Sequence, residues 1–431
     1  MKNGVGMVNR GVVCGVLAAL FICNFAAPGL AQIRIDVPEP GGAGLPIAIA
    51  PLKNQNGEGS QRLGEDFADI VARDLDLSGL FRPIDRAAYI EGPEGLLFSA
   101  INFHNWSMIG ALALVKGGFW IDDNSLIVEA RLFDVAQRKE LGGKRYRGER
   151  KDLRRMAHRF ADHVMLLLTG EAGPFSAKIA FVSNRGGRAK ELFVTDLTGT
   201  EIVQVTKDRR INLGPSWNPT GSALTYISYK QGGPYPYRLD LFSGQGSRLS
   251  SMVGYSSRWS PDGSMIAASL EQGGDLDLFL LSPEGSTIRH LTENSEIDIS
   301  PAWSPDGQRL AFCSNRSGSP QIYIMNINGG SIRRLTFTGN YNTSPAWSPK
   351  GDLIAYTSRL SGFRIMSIRA SGGEPHEVAA GEDPSWSPDG RYLVFSSRGR
   401  LRIASKDGRS VKQLTGGGGD DTSPAWSARL E

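Results

Sequence analysis

The chain has 431 residues, with 48 Lys and Arg against 44 Asp and Glu, a formal charge of +4, and 40% hydrophobic residues. That near balance, without basic blocks interleaved with aromatics, leaves no electrostatic footprint for nucleic acid, and the length suits two or more packed domains. Only three cysteines occur, Cys14, Cys23 and Cys313, so a disulfide framework is excluded.

In residues 1–31 a basic start, Lys2 and Arg10, leads into an uncharged apolar stretch from Gly11 to Ala27 and then Pro28-Gly29-Leu30-Ala31. This pattern predicts a secretory signal peptide cleaved after Ala31, where Gly29 and Ala31 supply the small residues a signal peptidase needs. The apolar run is shorter than the roughly 20 residues of a spanning helix. Val13 before Cys14 and Ile22 before Cys23 exclude a lipoprotein signal. Cleavage removes two positive charges, Lys2 and Arg10, lowering the formal charge from +4 to +2. It also leaves Cys313 as the single cysteine, a small buried hydrophobe in the apolar run Leu310-Ala311-Phe312-Cys313.

The segment 32–44 comes next. Ile33, Ile35 and Val37 alternate with Arg34 and Asp36, the period of a strand with one apolar face, and Pro38, Pro40, Gly41, Gly42 and Gly44 uncouple it from the domain behind it. It is expected to be a mobile strand that adds to the sheet edge of a partner. Residues 45–170 predict a small α/β domain. Pro46 to Pro51 is its first strand, and Leu63, Phe67, Ile70, Val71 and Leu75 mark one face of a helix that stops at Ser78-Gly79. Strands follow at about 111–119, 125–135 and 138–147, then a helix from Lys151 to Thr169 with Leu153, Met156, Phe160, Val164 and Leu167 at helical spacing and Gly170 as its cap. Residues 171–176 form a short, firm linker.

Residues 177–431 are repetitive. Trp217, Trp259, Trp303, Trp347, Trp386 and Trp426 recur at spacings of 42, 44, 44, 39 and 40 residues, most of them followed by Ser-Pro-Asp-Gly or a close variant. That spacing is one four-stranded propeller blade. In the third repeat Pro301–Trp303, Leu310–Cys313, Gln321–Asn326 and Ile332–Thr336 are too short for helices and are separated by turn signals, the first a type I turn over Ser304-Pro305-Asp306-Gly307. Lys178 to Asn184 reads as a second strand with no first strand ahead of it, whereas Trp426 has only five residues and no further strand after it. The C-terminal strand therefore completes the first blade, closing a six-bladed all-β propeller and hiding its edges. The fold class is mixed, an α/β domain followed by that propeller.

No Gly-x-Ser-x-Gly elbow, Walker loop, dinucleotide fingerprint or His-Glu-x-x-His occurs. His158 and His163 are five apart on a helix and do not share a face. Gly416 to Gly419 has no helix behind it to make a phosphate site, and no acidic spacing singles out metal ligands. No catalytic residue, metal or cofactor is expected. The chain reads as a protein-binding adaptor rather than an enzyme. A glycan- or small-molecule-binding propeller and the propeller part of a hydrolase are the alternatives, but a hydrolase would need a catalytic domain that is not encoded here. A glycan binder would gather exposed aromatics at one face, whereas six of the eight tryptophans stand in the repeat frame.

The signal, the α/β domain, Leu168-Thr169-Gly170 leading into Lys178-Ile179-Ala180-Phe181, the Trp-Ser-Pro-Asp-Gly repeats and the closing Ser-Pro-Ala-Trp-Ser together resemble the TolB family of the Tol-Pal system. The resemblance implies a periplasmic adaptor without enzymatic activity, supporting outer-membrane integrity and invagination during cell division. It also implies two partners. The outer-membrane lipoprotein Pal would be received on the connections that enter each inner strand, which nominates Val253, Gly254, Tyr255, Asp298, Ile299, Asn342, Thr343 and Asp383. The C-terminal domain of TolA would take the N-terminal strand through Ile33, Arg34, Ile35, Asp36 and Val37. The sequence departs from the repeat at Asn218-Pro219-Thr220 and at Gly232-Gly233-Pro234-Tyr235-Pro236, which affects local loop shape.

Overall fold

A computed structural model describes Met1 and residues 43–57, 61–92, 100–123, 125–293 and 296–430. The signal peptide and the strand at 32–37 lie outside the described residues. The N-terminal part is built on one sheet in which Leu45–Ile49 pairs in parallel with Phe81–Pro83 and with Ala113–Asp122. Antiparallel Ser125–Asp134 and Lys139–Glu149 extend it. Helices Arg62–Leu77 and Leu153–Thr169 pack together through Phe67 and Phe160, whose rings lie 5.9 Å apart. Gly170 ends the second helix in the left-handed conformation, φ +81°, as its cap position requires. The periodicity misses a short helix, Phe103–Met108, which buries Phe103 and Trp106 against Ala48, Leu114 and Phe133. Six residues are too few to display a helical repeat.

Six four-stranded antiparallel sheets follow, and the one that closes the ring joins Asp421–Trp426 to Ile179–Ser183, then Glu191–Thr195 and Ile202–Gln204. With that sheet as blade one, the inner strands of blades two to six are Asn212–Trp217, Gly254–Trp259, Asp298–Trp303, Asn342–Trp347 and Glu382–Trp386. The outer strand of the third repeat is shorter than its sequence suggests, Arg333–Arg334, because on the outermost strand one side faces water and little burial extends the pairing. Each inner strand carries a register shift midway. At that shift Ser300, Ser344, Asp383 and Ser423 take φ between +49° and +56° ahead of a proline, which disfavours the right-handed helical region for the residue before it. Gly214 does the same in blade two without a Cβ to strain, φ +57°.

All six tryptophans of the frame are buried. Three of their indoles also bind neighbouring blades together: Trp217 Nε1 donates to the carbonyl of Ala425, Trp303 Nε1 to that of Arg258 and Trp386 Nε1 to that of Ala346, each at 3.0 Å and each in the preceding blade. Cys313 is buried, its Sγ 3.4 Å from the carbonyl of Asn342, and burial pushes its thiol up to about 11.

The α/β part sits on the side of the propeller where the inner strands end. Tyr392 Oη donates to Ser78 O at 2.9 Å, and Glu171 accepts ion pairs from Lys350 and Arg391, both at 3.1 Å. At the centre of this seam His158, from the second long helix, is buried between Asp74 on the first helix, 2.7 Å from Nδ1, and Asp196 of blade one, 3.3 Å from Nε2. Arg154 adds bonds to Asp196 and Thr198, both 2.7 Å. Burial alone would depress the imidazole, but Asp74 and Asp196 outweigh it and raise His158 to about 9. Asp196 would be raised by its burial, yet the His158, Thr198 and Arg154 contacts take it well below the usual carboxylate range.

A raised histidine stabilises the fold fully below its unfolded pKa of about 6.5 and stops doing so as pH rises through its folded value. His158→Gln is therefore expected to lower stability by on the order of 3 kcal/mol near pH 6. The deficit should shrink as pH climbs from about 6.5 through 9, measured as the difference in denaturant midpoint between the two proteins; a gap constant with pH would refute the charged network.

Candidate partner-binding face and channel

Antiparallel blades send their connections alternately to two faces. The turns after each inner tryptophan lie on the side taken by the α/β part, for Lys350 and Arg391 stand in those turns. The loops that enter each inner strand, and the hairpins between second and third strands, gather on the opposite face. Large apolar side chains are exposed there: Ile211, Ile297 and Phe337 in entering loops, Tyr255 in the inner strand of blade three, and Leu360 and Phe363 in the blade-five hairpin. Phe337 is 74% exposed and Tyr255 50%. Large exposed apolar side chains gathered around one opening are a feature of surfaces that bind other proteins, although Phe242, 89% exposed, shows that they are not confined to this face.

Under this rim the first residue of the inner strand is buried in five of the six blades, Glu382 of blade six being half-buried, and it serves the fold. Asp298, fully buried, receives Arg316 Nη2 at 3.0 and 2.8 Å. Asp421 takes the equivalent Arg185, with Ser183 Oγ also donating to it at 2.7 Å. Asn342 is fully buried and donates to Gln321 at 2.9 Å and to the carbonyl of Thr338 at 2.9 Å. Gly254 is buried so closely that a Cβ would meet Leu270 Cδ2 at 2.8 Å.

The eight nominated residues of this face accordingly divide. Tyr255 is exposed, and Val253, Ile299, Thr343 and Asp383 are half-buried. Gly254, Asp298 and Asn342 are buried, shaping the loops from beneath rather than presenting a surface, because the first strand position is where the sheet turns inward and its polar groups must be satisfied within the protein. Ile211, Ile297, Phe337, Leu360 and Phe363 were not singled out by the repeat pattern. Their signal was apolar residues inside polar turn segments, as in Thr336-Phe337-Thr338-Gly339 and Leu360-Ser361-Gly362-Phe363. The nominated strand Ile33, Arg34, Ile35, Asp36 and Val37 lies outside the described residues.

Along the axis runs a cavity of about 620 Å³ lined by the six tryptophans and by the serines and prolines beside them. Asp383 accepts hydrogen bonds there from Ser344 Oγ and Ser423 Oγ, both 2.9 Å, and so links blades five, six and one. Among the described residues no group of three or more His, Cys, Asp and Glu side chains is placed to hold a metal ion.

A family model described as the TolB beta propeller domain matches residues 166–430, and one described as the TolB amino-terminal domain matches residues 33–141. A Tol-Pal system protein TolB from Desulfosudis oleivorans is 36% identical over 292 residues, 67% of this chain and 66% of that protein. Another from Syntrophotalea carbinolica is 40% identical over 192 residues, 44% of each chain. The matched stretches thus span less than two thirds of these relatives' length. The crystal structure of TolB from Acinetobacter baumannii superposes with a TM-score of 0.79 at 28% identity, covering 89% of this chain and 97% of that one. A chain of a nidogen/laminin complex, 10% identical with a TM-score of 0.51 over 59% of this chain and 100% of that one, shares the fold alone.

Asp298→Ala leaves Arg316 without its buried carboxylate and is expected to cost about 3 kcal/mol or more of stability, read from chemical denaturation. Phe337→Ala, at a solvated site, should move stability by less than about 0.5 kcal/mol. Equal effects would remove the distinction drawn here between foundation and rim.

Proposed function

Given that the chain belongs to the TolB family of Tol-Pal system proteins, we propose that it is a periplasmic adaptor that acts by binding rather than by catalysis. Its propeller face receives the outer-membrane lipoprotein Pal, its N-terminal strand engages TolA, and the link supports outer-membrane integrity and invagination at division. The observation that carries this reading is the apolar rim around the channel mouth, on the face that the α/β part leaves open. Protein interfaces concentrate their energy in a few large side chains near the centre of the contact, and Tyr255, Ile297 and Phe337 have that character. In this reading residues 1–31 direct export, 32–44 form the TolA-binding segment, 45–170 the α/β domain, 171–176 the linker and 177–431 the propeller.

The adaptor reading assigns the two partners to different segments of the chain. Tyr255→Glu, Ile297→Glu and Phe337→Glu are expected to weaken Pal binding by on the order of tenfold or more each, with folding and TolA binding unchanged, as measured by calorimetry on the mature chain. Equal Pal affinity across the set would move the interface elsewhere. Deleting 32–37 should abolish TolA binding and leave Pal binding and propeller stability nearly intact, because β-augmentation draws its affinity from the added strand's own backbone. TolA affinity that survives the deletion would sink the second half of the proposal.

A further inference from the structure

The six inner strands turn equivalent positions toward the channel. Three residues before each tryptophan stands serine in four blades, Gly214 in blade two and Asp383 in blade six. The residue immediately before the tryptophan is alanine or serine in five blades and Arg258 in blade three. Of these three departures from the repeat, Asp383 and Arg258 are the only charged residues lining the cavity among those described. They have opposite signs, and blades three and six face each other across a ring of six.

Both side chains make hydrogen bonds to uncharged groups, and neither has an ion-pair partner among the described residues. Arg258 uses Nη1 for the carbonyls of Gly214, at 3.3 Å, and Ser257, at 3.0 Å, while its Nε and Nη2 make no hydrogen bond among the described residues. No ion pair joins it to Asp383. Burial lowers the guanidinium's pKa from its ordinary value, partly countered by the attraction of Asp383 across the channel. Each oxygen of Asp383 takes one serine hydroxyl and keeps a second acceptor direction. A half-buried guanidinium with free donors facing the channel is disposed to bind a carboxylate, and the indoles and prolines of the lining strengthen such contacts over those made in open water. A simple anion would still feel Asp383 unbalanced. The cavity, about 620 Å³, is within the usual range of small-molecule sites, about 300–1,000 Å³.

We propose that the channel is a binding site for a small zwitterion of the amino-acid or short-peptide class, its carboxylate on Arg258 and its ammonium on Asp383. The site lies inside the ring and does not depend on which protein covers the mouth. Calorimetric titration of the mature chain with glycylglycine, acetate and methylammonium tests it. Glycylglycine is expected to bind at least about tenfold more tightly than either single-charge probe. Arg258→Gln should weaken glycylglycine about tenfold or more, Arg258→Lys should restore part of the loss, and Asp383→Asn should remove the preference over acetate. Thermal unfolding of each variant establishes that the ring is intact. Absence of saturable glycylglycine binding, acetate binding as tight as glycylglycine, or unchanged affinity in folded Arg258→Gln and Asp383→Asn would each overturn the proposal.

Discussion

Everything in this protein depends on one pairing, the antiparallel register of Asp421–Trp426 on Ile179–Ser183, which joins the last strand to the first blade. Without it the last strand and the open side of Ile179–Ser183 would be two facing unpaired edges, and an edge exposes backbone donors and acceptors that must find partners. Closure removes both at once. It is reinforced at its two ends: Lys178 and Ser427 exchange backbone and hydroxyl hydrogen bonds of 2.9 Å, and Arg185 reaches the buried Asp421. The indole-to-carbonyl bonds then repeat the same logic between other blades, so neighbouring inner strands are held by directed contacts as well as by packing.

The same closure seats the α/β part. The linker leads directly into the first propeller strand, and Asp162 holds it by accepting from Phe175 N at 2.7 Å and Ser176 N at 3.0 Å. Burial pushes that carboxyl up to about 7 despite those bonds. Arg429, beyond the closing strand, donates to the carbonyls of Ala172 and Gly173, both at 2.7 Å, so the same segment is gripped from both parts of the protein. With His158 buried between Asp74 and Asp196, the two parts share a charged network that either part alone would leave incomplete. Removing one member of such a network is costlier than the pair is stabilising, since the remaining charge stays buried.

A ring of near-identical blades makes its exceptions informative. A buried tryptophan is common to all six blades and a left-handed bulge ahead of a proline to five of them; elsewhere in the frame the residue varies from blade to blade. The apolar rim and the Arg258–Asp383 pair are both of this varying kind. One lies at the mouth and the other inside the channel, so a partner at the face and a ligand on the axis are compatible with one scaffold.

The blade count, the closing strand and the two long helices were legible in the sequence, because a tryptophan every 39 to 44 residues and a helical period over sixteen or more positions are local, repeated signals. The candidate face was legible only as a set of loops. Sequence position alone could not tell Asp298 and Asn342, buried as foundations, from Tyr255, exposed beside them, since burial at the start of an inner strand is set by the neighbouring strand and loop. Nor could it bring Phe337 and Leu360 onto one rim, or set Arg258 opposite Asp383 across 125 residues of chain. It read His158 only as a poor metal ligand, because Asp74 and Asp196 meet it through tertiary packing. Periodicity along the chain fixes which elements form, and only the closed ring fixes which side chains face the same water, the same channel and the same buried charge.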